Sequence, residues 1–221
     1  MAERERATGD GSRVVVGITG ASGAIYAKAL VGELLAQGMT VHFIPSAHAA
    51  VSWRQELDTG EDAALTESET DAPGGWEASL EIAADARDRL MVYSGKRIDA
   101  KPASGTFRVR GMVVVPCSMN TLAKIAGGIG DTLLTRAAAV TLKERRPLVI
   151  VPRETPVSLL DLRNMTAAAE AGATILPASP GFYQRPTEIA DLVHFLVSKI
   201  FDQIELSVSN PVRYDQIAPP H

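Results

Sequence analysis

A single doubly wound α/β domain built on a parallel sheet is the fold this sequence predicts, and three observations predict it. Short runs of β-branched and apolar residues alternate with longer segments whose apolar residues recur at helical spacing. A glycine-rich turn, Gly17-x-x-Gly20-x-x-Gly23, joins the first such run to the first such segment. The chain has 221 residues, 46% of them hydrophobic, which suffices for one substantial core and is short for two.

Residues 1–12 are polar and read as a loose tail, and Arg13-Val14-Val15-Val16-Gly17-Ile18 is a buried strand by its β-branched run. From Ala24 to Gln37 the residues Ile25, Ala29, Leu30, Leu34 and Leu35 recur at helical spacing, and Gly38 stands where a helix stops. Thr40-Val41-His42-Phe43-Ile44 predicts a second strand ending at Pro45, and 47–57 a second helix. This βαβα opening implies parallel strands. Residues 58–75 are acidic, contain Gly and Pro and show no apolar period, so they read as an exposed insertion. A short helix over 78–89, a short strand over 91–93 and a turn at Pro102-Ala103-Ser104-Gly105 lead into a strong strand over 111–116. Helices over 120–126 and 132–145 follow, separated by Gly127-Gly128; then come a strand over 148–151, a helix over 158–171, a strand over 173–176 and a last helix over 187–206. The domain is therefore expected over 13–206, with 207–221 a C-terminal tail and the ligand site at the carboxyl ends of the strands.

Composition removes several classes of function. A net charge of −4, a pI near 5.6 and the lack of basic runs interleaved with aromatics argue against nucleic acid. No apolar stretch is long enough to span a bilayer. One cysteine, Cys117, rules out an internal disulfide, and the opening Met1-Ala2-Glu3-Arg4-Glu5-Arg6 has no apolar signal core, so a cytoplasmic location is expected.

The glycines of the first turn let backbone approach a ligand, and the helix that starts there aims free N–H groups and the positive end of its dipole at an anion, which suits a phosphate. The spacing is not G-x-G-x-x-G, and the second strand ends at Pro45-Ser46 with no acid for a ribose, so a mononucleotide fits better than a dinucleotide. Ser22 puts a hydroxyl inside the turn. Pro116-Cys117-Ser118-Met119-Asn120-Thr121 gathers hydroxyl and amide groups at a second strand-to-helix junction, where Ser118 alone would read as an N-cap and Cys117 as a small buried residue. Arg136 and Lys143 lie two turns apart on one predicted helix, as an anion-binding pair or a solvated face. Arg153-Glu154 stands at the carboxyl end of a predicted central strand, and Pro180-Gly181-Phe182-Tyr183 puts two aromatics beyond another.

Read together, these segments resemble the flavin prenyltransferase (UbiX-like) family from about residue 13 to 202. The motifs that carry the resemblance are Thr19-Gly20-Ala21-Ser22-Gly23, Pro102-Ala103-Ser104-Gly105, Pro116-Cys117-Ser118-Met119-Asn120-Thr121-Leu122, Leu142-Lys143-Glu144-Arg145-Arg146-Pro147-Leu148, Pro152-Arg153-Glu154-Thr155-Pro156 and Pro177-Ala178-x-Pro180-Gly181-Phe182-Tyr183. The resemblance implies alkylation of reduced FMN at N5 by a dimethylallyl group and closure onto C6, yielding prenylated FMN for a UbiD-type decarboxylase. It implies that Gly20, Ala21, Ser22, Ser46, Ser118, Met119, Asn120, Thr121 and Arg136 hold FMN. Lys143, Arg153, Glu154, Tyr183 and Lys199 match positions that bind dimethylallyl phosphate. Ser22, Glu56, Lys143 and Glu154 are the implied catalytic group, with Glu154 or Glu56 the base for the C6 proton. The paired-aspartate motif of Mg²⁺-dependent prenyl transferases is missing, so no metal is expected. A homo-oligomer is implied, trimers assembled into a dodecamer with FMN at subunit boundaries. Lys199 stands where arginine is common, Ile98-Asp99-Ala100 where an aromatic often walls the prenyl pocket, and the acidic insertion is long. Two rival readings are a non-catalytic FMN-binding or delivery subunit and a flavin-dependent cysteine decarboxylase, the latter needing a catalytic histidine.

Overall fold

Six strands pair in parallel throughout, in the order β3-β2-β1-β4-β5-β6. They are β1 Arg13–Ile18, β2 Thr40–Pro45, β3 Leu90–Val92, β4 Gly111–Cys117, β5 Leu148–Pro152 and β6 Thr174–Ile175. The computed structural model describes residues 10–57 and 73–208. Seven α-helices lie within them: α1 Ala24–Ala36, α2 Ala49–Leu57, α3 Pro73–Ser79, α4 Met119–Ala126, α5 Leu133–Lys143, α6 Leu159–Glu170 and α7 Ile189–Gln203. None is long and apolar enough to cross a membrane.

The valine-rich runs form β1, β4 and β5 because helices cover both faces of the sheet, so that every position in β4 and β5 is buried. Successive side chains go to opposite layers. Val14, Val16, Ile18, Val113, Val115, Val149 and Val151 pack with residues of α1, α2 and α7, whereas Val15, Met112, Val114, Leu148 and Ile150 pack with α4 and α5. Helix starts are fixed locally by hydroxyls: Ser118 caps α4, and Thr132 with Thr135 and Ser158 with Asp161 form capping boxes on α5 and α6.

Four boundaries differ from the sequence reading. Helix α3 begins inside the expected insertion and ends where a helix was expected to continue. Its buried face, Trp76, Ser79 and Leu80, has helical spacing that starts earlier than residue 78. Trp76 has no exposed surface and meets Trp53 and Phe43 with ring centroids 5.3 Å away in each case. The chain then turns at Glu81, whose φ is 54°, and residues Ala84–Arg89 form a 3₁₀ turn. The remainder of the expected insertion, residues 58–72, lies outside the described residues. At the amino end, Asp10–Ser12 form a 3₁₀ turn, not loose tail, because Gly11 O accepts from Arg110 Nε at 3.0 Å. At the other end α7 stops at Gln203, yet order runs past 206: Val208 is buried and Ser207 O accepts from Gln37 Nε2 at 2.8 Å.

Candidate functional site

From β1 the chain crosses toward β2 on one side, and from β4 toward β5 on the other, so the carboxyl ends of β1 and β4 flank the topological switch point. A cleft of about 400 Å³ opens there. The β1–α1 turn lines it with Gly20, the β2–α2 loop with Ser46, Ala47 and His48, the start of α4 with Ser118, Asn120, Thr121 and Lys124, and the start of α5 with Thr132, Leu134 and Thr135.

Thr19 ties these loops together. Its buried Oγ1 donates to Pro116 O at 2.8 Å and accepts from Ser118 N at 2.9 Å, which joins the loops after β1 and β4. Ser46 N donates to Ile18 O at 2.8 Å and brings in the loop after β2. Gly20 is required by close approach: a Cβ there would lie 2.8 Å from His48 Cβ and 3.0 Å from His48 O. Gly23 is required by conformation, since its φ of 113° is one that L side chains rarely adopt.

The free amides expected at the start of α1 are not free. Glu56 of α2 reaches back, accepting from Gly23 N at 2.9 and 3.1 Å through its two oxygens and from Ala24 N at 2.8 Å. The anion at the positive end of α1 is thus a carboxylate of the protein, where a ligand phosphate was expected. The positive charge of the cleft comes instead from Lys124, held 2.6 Å from Asp131, whose pKa is lowered first by that lysine.

Of the residues expected to hold a flavin, Gly20, Ser46, Ser118, Asn120 and Thr121 line this cleft. Ala21 is buried beneath it, its amide 3.5 Å from Thr19 Oγ1, and Ser22 is exposed on the same turn. Ser118 Oγ is engaged as an N-cap, accepting from Thr121 N at 3.3 Å. Met119 packs into the apolar layer under α4, and Arg136 is exposed on α5 beside Gly130, one position past the cleft wall. Sequence reasoning missed Ala47, His48, Lys124, Thr132, Leu134 and Thr135 as cleft residues, and Thr19 as the buried link between the loops that wall it. Lys124 was legible as the residue four beyond Asn120 on one helix face.

The residues expected to bind an allylic phosphate fall into three places. Arg153, at the carboxyl end of β5, donates its amide to Cys117 O at 3.2 Å and lies near Tyr26, whose ring covers Gly23. Burial raises the Tyr26 pKa, and the Arg153 charge partly offsets the rise. Glu154 is exposed, its Oε1 accepting from Thr155 N at 3.0 Å. Tyr183 and Lys199 both meet Phe195: the rings of Tyr183 and Phe195 stack edge to face at 5.8 Å, and Lys199 Nζ lies 5.9 Å from the Phe195 centroid. Ala178 N donates to Pro152 O at 3.1 Å, which sets the segment leading to Tyr183 alongside Arg153. Lys143 does not join them. It ends α5 beside Glu144, 3.2 Å away, just before the chain enters β5 at its amino end. A strand of five residues separates Lys143 from Arg153, about 17 Å at 3.3 Å per residue.

Neither Cys117 nor His42 belongs to the site. Cys117 has no exposed surface and burial raises its pKa, so it remains a thiol, as expected. His42 sits in the core of β2 with Nδ1 2.8 Å from the Tyr93 hydroxyl and its ring against Phe107. Burial, with the charges of Arg13 and Lys101, lowers its pKa to about 4, so it is a neutral core histidine.

The model of the Flavoprotein family matches residues 2–201. The flavin prenyltransferase UbiX of Synechocystis sp. is 40% identical over 196 residues, covering 87% of this chain and 91% of its own. The crystal structure of AnUbiX (PadA1) in complex with FMN and dimethylallyl pyrophosphate superposes with a TM-score of 0.79 at 36% identity, covering 92% of this chain and 97% of that one. A dodecameric FMN-dependent UbiX-like decarboxylase from Escherichia coli O157:H7 superposes at 0.77 with 34% identity, covering 91% and 98%. By sheet order, switch-point cleft and likeness along nearly its whole length, the chain belongs to the Flavoprotein family, among the flavin prenyltransferases of the UbiX type.

Proposed function

We propose that this protein is a flavin prenyltransferase that joins the dimethylallyl group of dimethylallyl phosphate to N5 and C6 of reduced FMN, giving prenylated FMN for a UbiD-type decarboxylase. The observation that carries the reading is the switch-point cleft. Its volume lies in the range of small-ligand sites. Its hydroxyls, the Asn120 amide and Lys124 suit a phosphorylated, polyhydroxylated chain, while Ala47 and Leu134 suit the apolar part of a ring. Gly20 leaves room that a Cβ would fill. These residues fit FMN.

Reduced FMN supplies the nucleophilic N5 and C6 when bound. The protein's own part is to seat the donor, stabilise the phosphate as its C–O bond breaks, exclude water and move protons: alkylation would release the proton of N5, and closure onto C6 would add a proton to the dimethylallyl double bond as the C6 proton leaves. Arg153 sits near the start of α1 through Tyr26, so a donor phosphate held by it lies at the rim of the flavin cleft. A leaving phosphate dianion is stabilised by fixed cations in a site of low dielectric, which is the work assigned to Arg153, Lys143 and Lys199, with the Tyr183 hydroxyl as a further donor. The Tyr183 and Phe195 rings offer aromatic faces to an allylic cation. Glu154, with Oε1 engaged by Thr155 N, presents Oε2 as the base for the C6 proton. No metal is needed in this scheme. Reduced flavin and a buried thiol both suit the cytoplasm.

Lys143 can share a donor with Arg153 only if a second subunit brings it, so the active form is a homo-oligomer, of twelve subunits by analogy with the E. coli relative. Helix α6 supports assembly: it buries Ala168 and leaves Leu159, Leu160 and Leu162 exposed.

The test is anaerobic incubation of the protein with reduced FMN and dimethylallyl phosphate, read by mass spectrometry. A flavin heavier by one C5 unit is expected, and unaltered FMN would overturn the proposal. Glu154→Gln should lower turnover by about 10²-fold or more while leaving FMN binding unchanged. A delivery subunit would be indifferent to it.

A further inference from the structure

The leading amides of α1 are engaged by Glu56, so an anion that settles beside them has to be held by side chains. We propose that Tyr26, to which neither the motifs nor the resemblance assign a role, is a further binding residue for the allylic donor: its hydroxyl donates to the phosphate that Arg153 holds.

Side chains on a helix tilt toward its amino end, so Tyr26, in the first turn of α1, folds back over Gly23. A Cβ on Gly23 would lie 3.0 and 3.2 Å from two carbons of the Tyr26 ring and 3.6 Å from Pro116 Cβ, so the ring and Pro116 flank one point. The next residue after Pro116 fixes Arg153: Cys117 O accepts from Arg153 N at 3.2 Å. A phenol from α1 and a guanidinium from the end of β5 are thus brought to the same rim of the cleft, and the charge of Arg153 is felt at the Tyr26 hydroxyl. The neighbouring acid does not neutralise that charge, since Glu154 is turned to Thr155 N. Among the described residues no hydrogen bond or ion pair engages either the Tyr26 hydroxyl or the Arg153 guanidinium. Both are open to a ligand. Burial raises the Tyr26 pKa by more than Arg153 lowers it, so the phenol keeps its proton at neutral pH and is able to donate. A fixed cation with a neutral donor beside it suits a phosphate monoester: the guanidinium supplies charge and the hydroxyl a directed bond to one oxygen. The ring is half-buried, which shields that bond from water, and its packing on Gly23 and Pro116 sets the hydroxyl in place before the ligand arrives.

The proposal rests on the prenyl-transfer reading, and its test separates the two. Tyr26→Phe, which keeps the ring and removes one oxygen, is compared with the parent, Arg153→Ala and the double variant in the full-length chain. Calorimetry gives the Kd of FMN, then the Kd of dimethylallyl phosphate and of inorganic phosphate on protein loaded with oxidised FMN, whose N5 is not nucleophilic. Tyr26→Phe should raise the Kd of dimethylallyl phosphate and of inorganic phosphate by about tenfold and leave that of FMN within about twofold. On the Arg153→Ala background the same substitution should cost less than about threefold, because the phosphate is no longer held against the hydroxyl. The KM for dimethylallyl phosphate should rise in Tyr26→Phe along with its Kd. Unchanged affinity for both phosphates in Tyr26→Phe would overturn the proposal. So would a loss of FMN affinity as large as the loss for the donor, which is what a ring that only props up the turn would give. A parent that binds no phosphate overturns it as well. If both phosphates bind as expected but the parent forms no alkylated flavin, prenyl transfer fails as a reading while Tyr26 stands as an anion-binding residue.

Discussion

The His42 imidazole is kept neutral by burial and by two nearby cations, and this gives the fold a dependence on pH. An unfolded chain takes up the His42 proton near pH 6.5, but the folded one only near pH 4, so acid between those values favours unfolding. The associated stability is complete above pH 6.5 and is lost as pH falls toward 4. Urea denaturation should show about 2 kcal/mol less stability at pH 5 than at pH 7, and His42→Gln should remove most of that difference. Trp76 offers a second test at this scale. With no exposed surface and two aromatic partners, its replacement by alanine should cost about 3–5 kcal/mol, read as a shift in the denaturation midpoint.

At the scale of elements, the loops after β1 and β4 are joined by one hydroxyl. Thr19→Val keeps the shape but leaves Ser118 N without its acceptor and Pro116 O with the Thr19 amide alone, 3.3 Å away; about 1–3 kcal/mol should be lost, and FMN should bind more weakly because the link between two cleft walls is loosened. This link also shows where sequence reading stops. The strands were legible because valine runs covered on both faces form strands in any partner's company, and most helices because their period and stops are local. Helix α3 was not, since its short face depends on Trp53 and Phe43, which lie 23 and 33 positions before Trp76. The same division holds in the site. Gly20, Ser118 and Thr121 were legible as turn and cap residues, whereas the roles of Thr19 and Glu56 depend on partners 97 and 33 positions away. Arg136 was selected for its charge and helix face, yet α5 turns its neighbours Leu134 and Thr135 to the cleft.

At the scale of the whole molecule, one parallel sheet gathers the cleft and Arg153 at its carboxyl end and leaves Lys143 at the other end. The proposed sharing of donor sites between subunits is open to complementation. Lys143→Ala and Arg153→Ala should each be nearly inactive, and co-assembly of the two from equal amounts should restore about a quarter of parental turnover, because a shared site draws one side chain from each of two copies. No recovery would show that both act within one chain. Strand β5 thereby works as a spacer as well as a core element. Under the proposed sharing, a newly made protomer would have no complete seat in which to ionise an allylic ester. Under the shared-site scheme, carbocation chemistry is withheld until assembly has closed the pocket against water, and dilution below the dissociation point would switch the enzyme off without unfolding it.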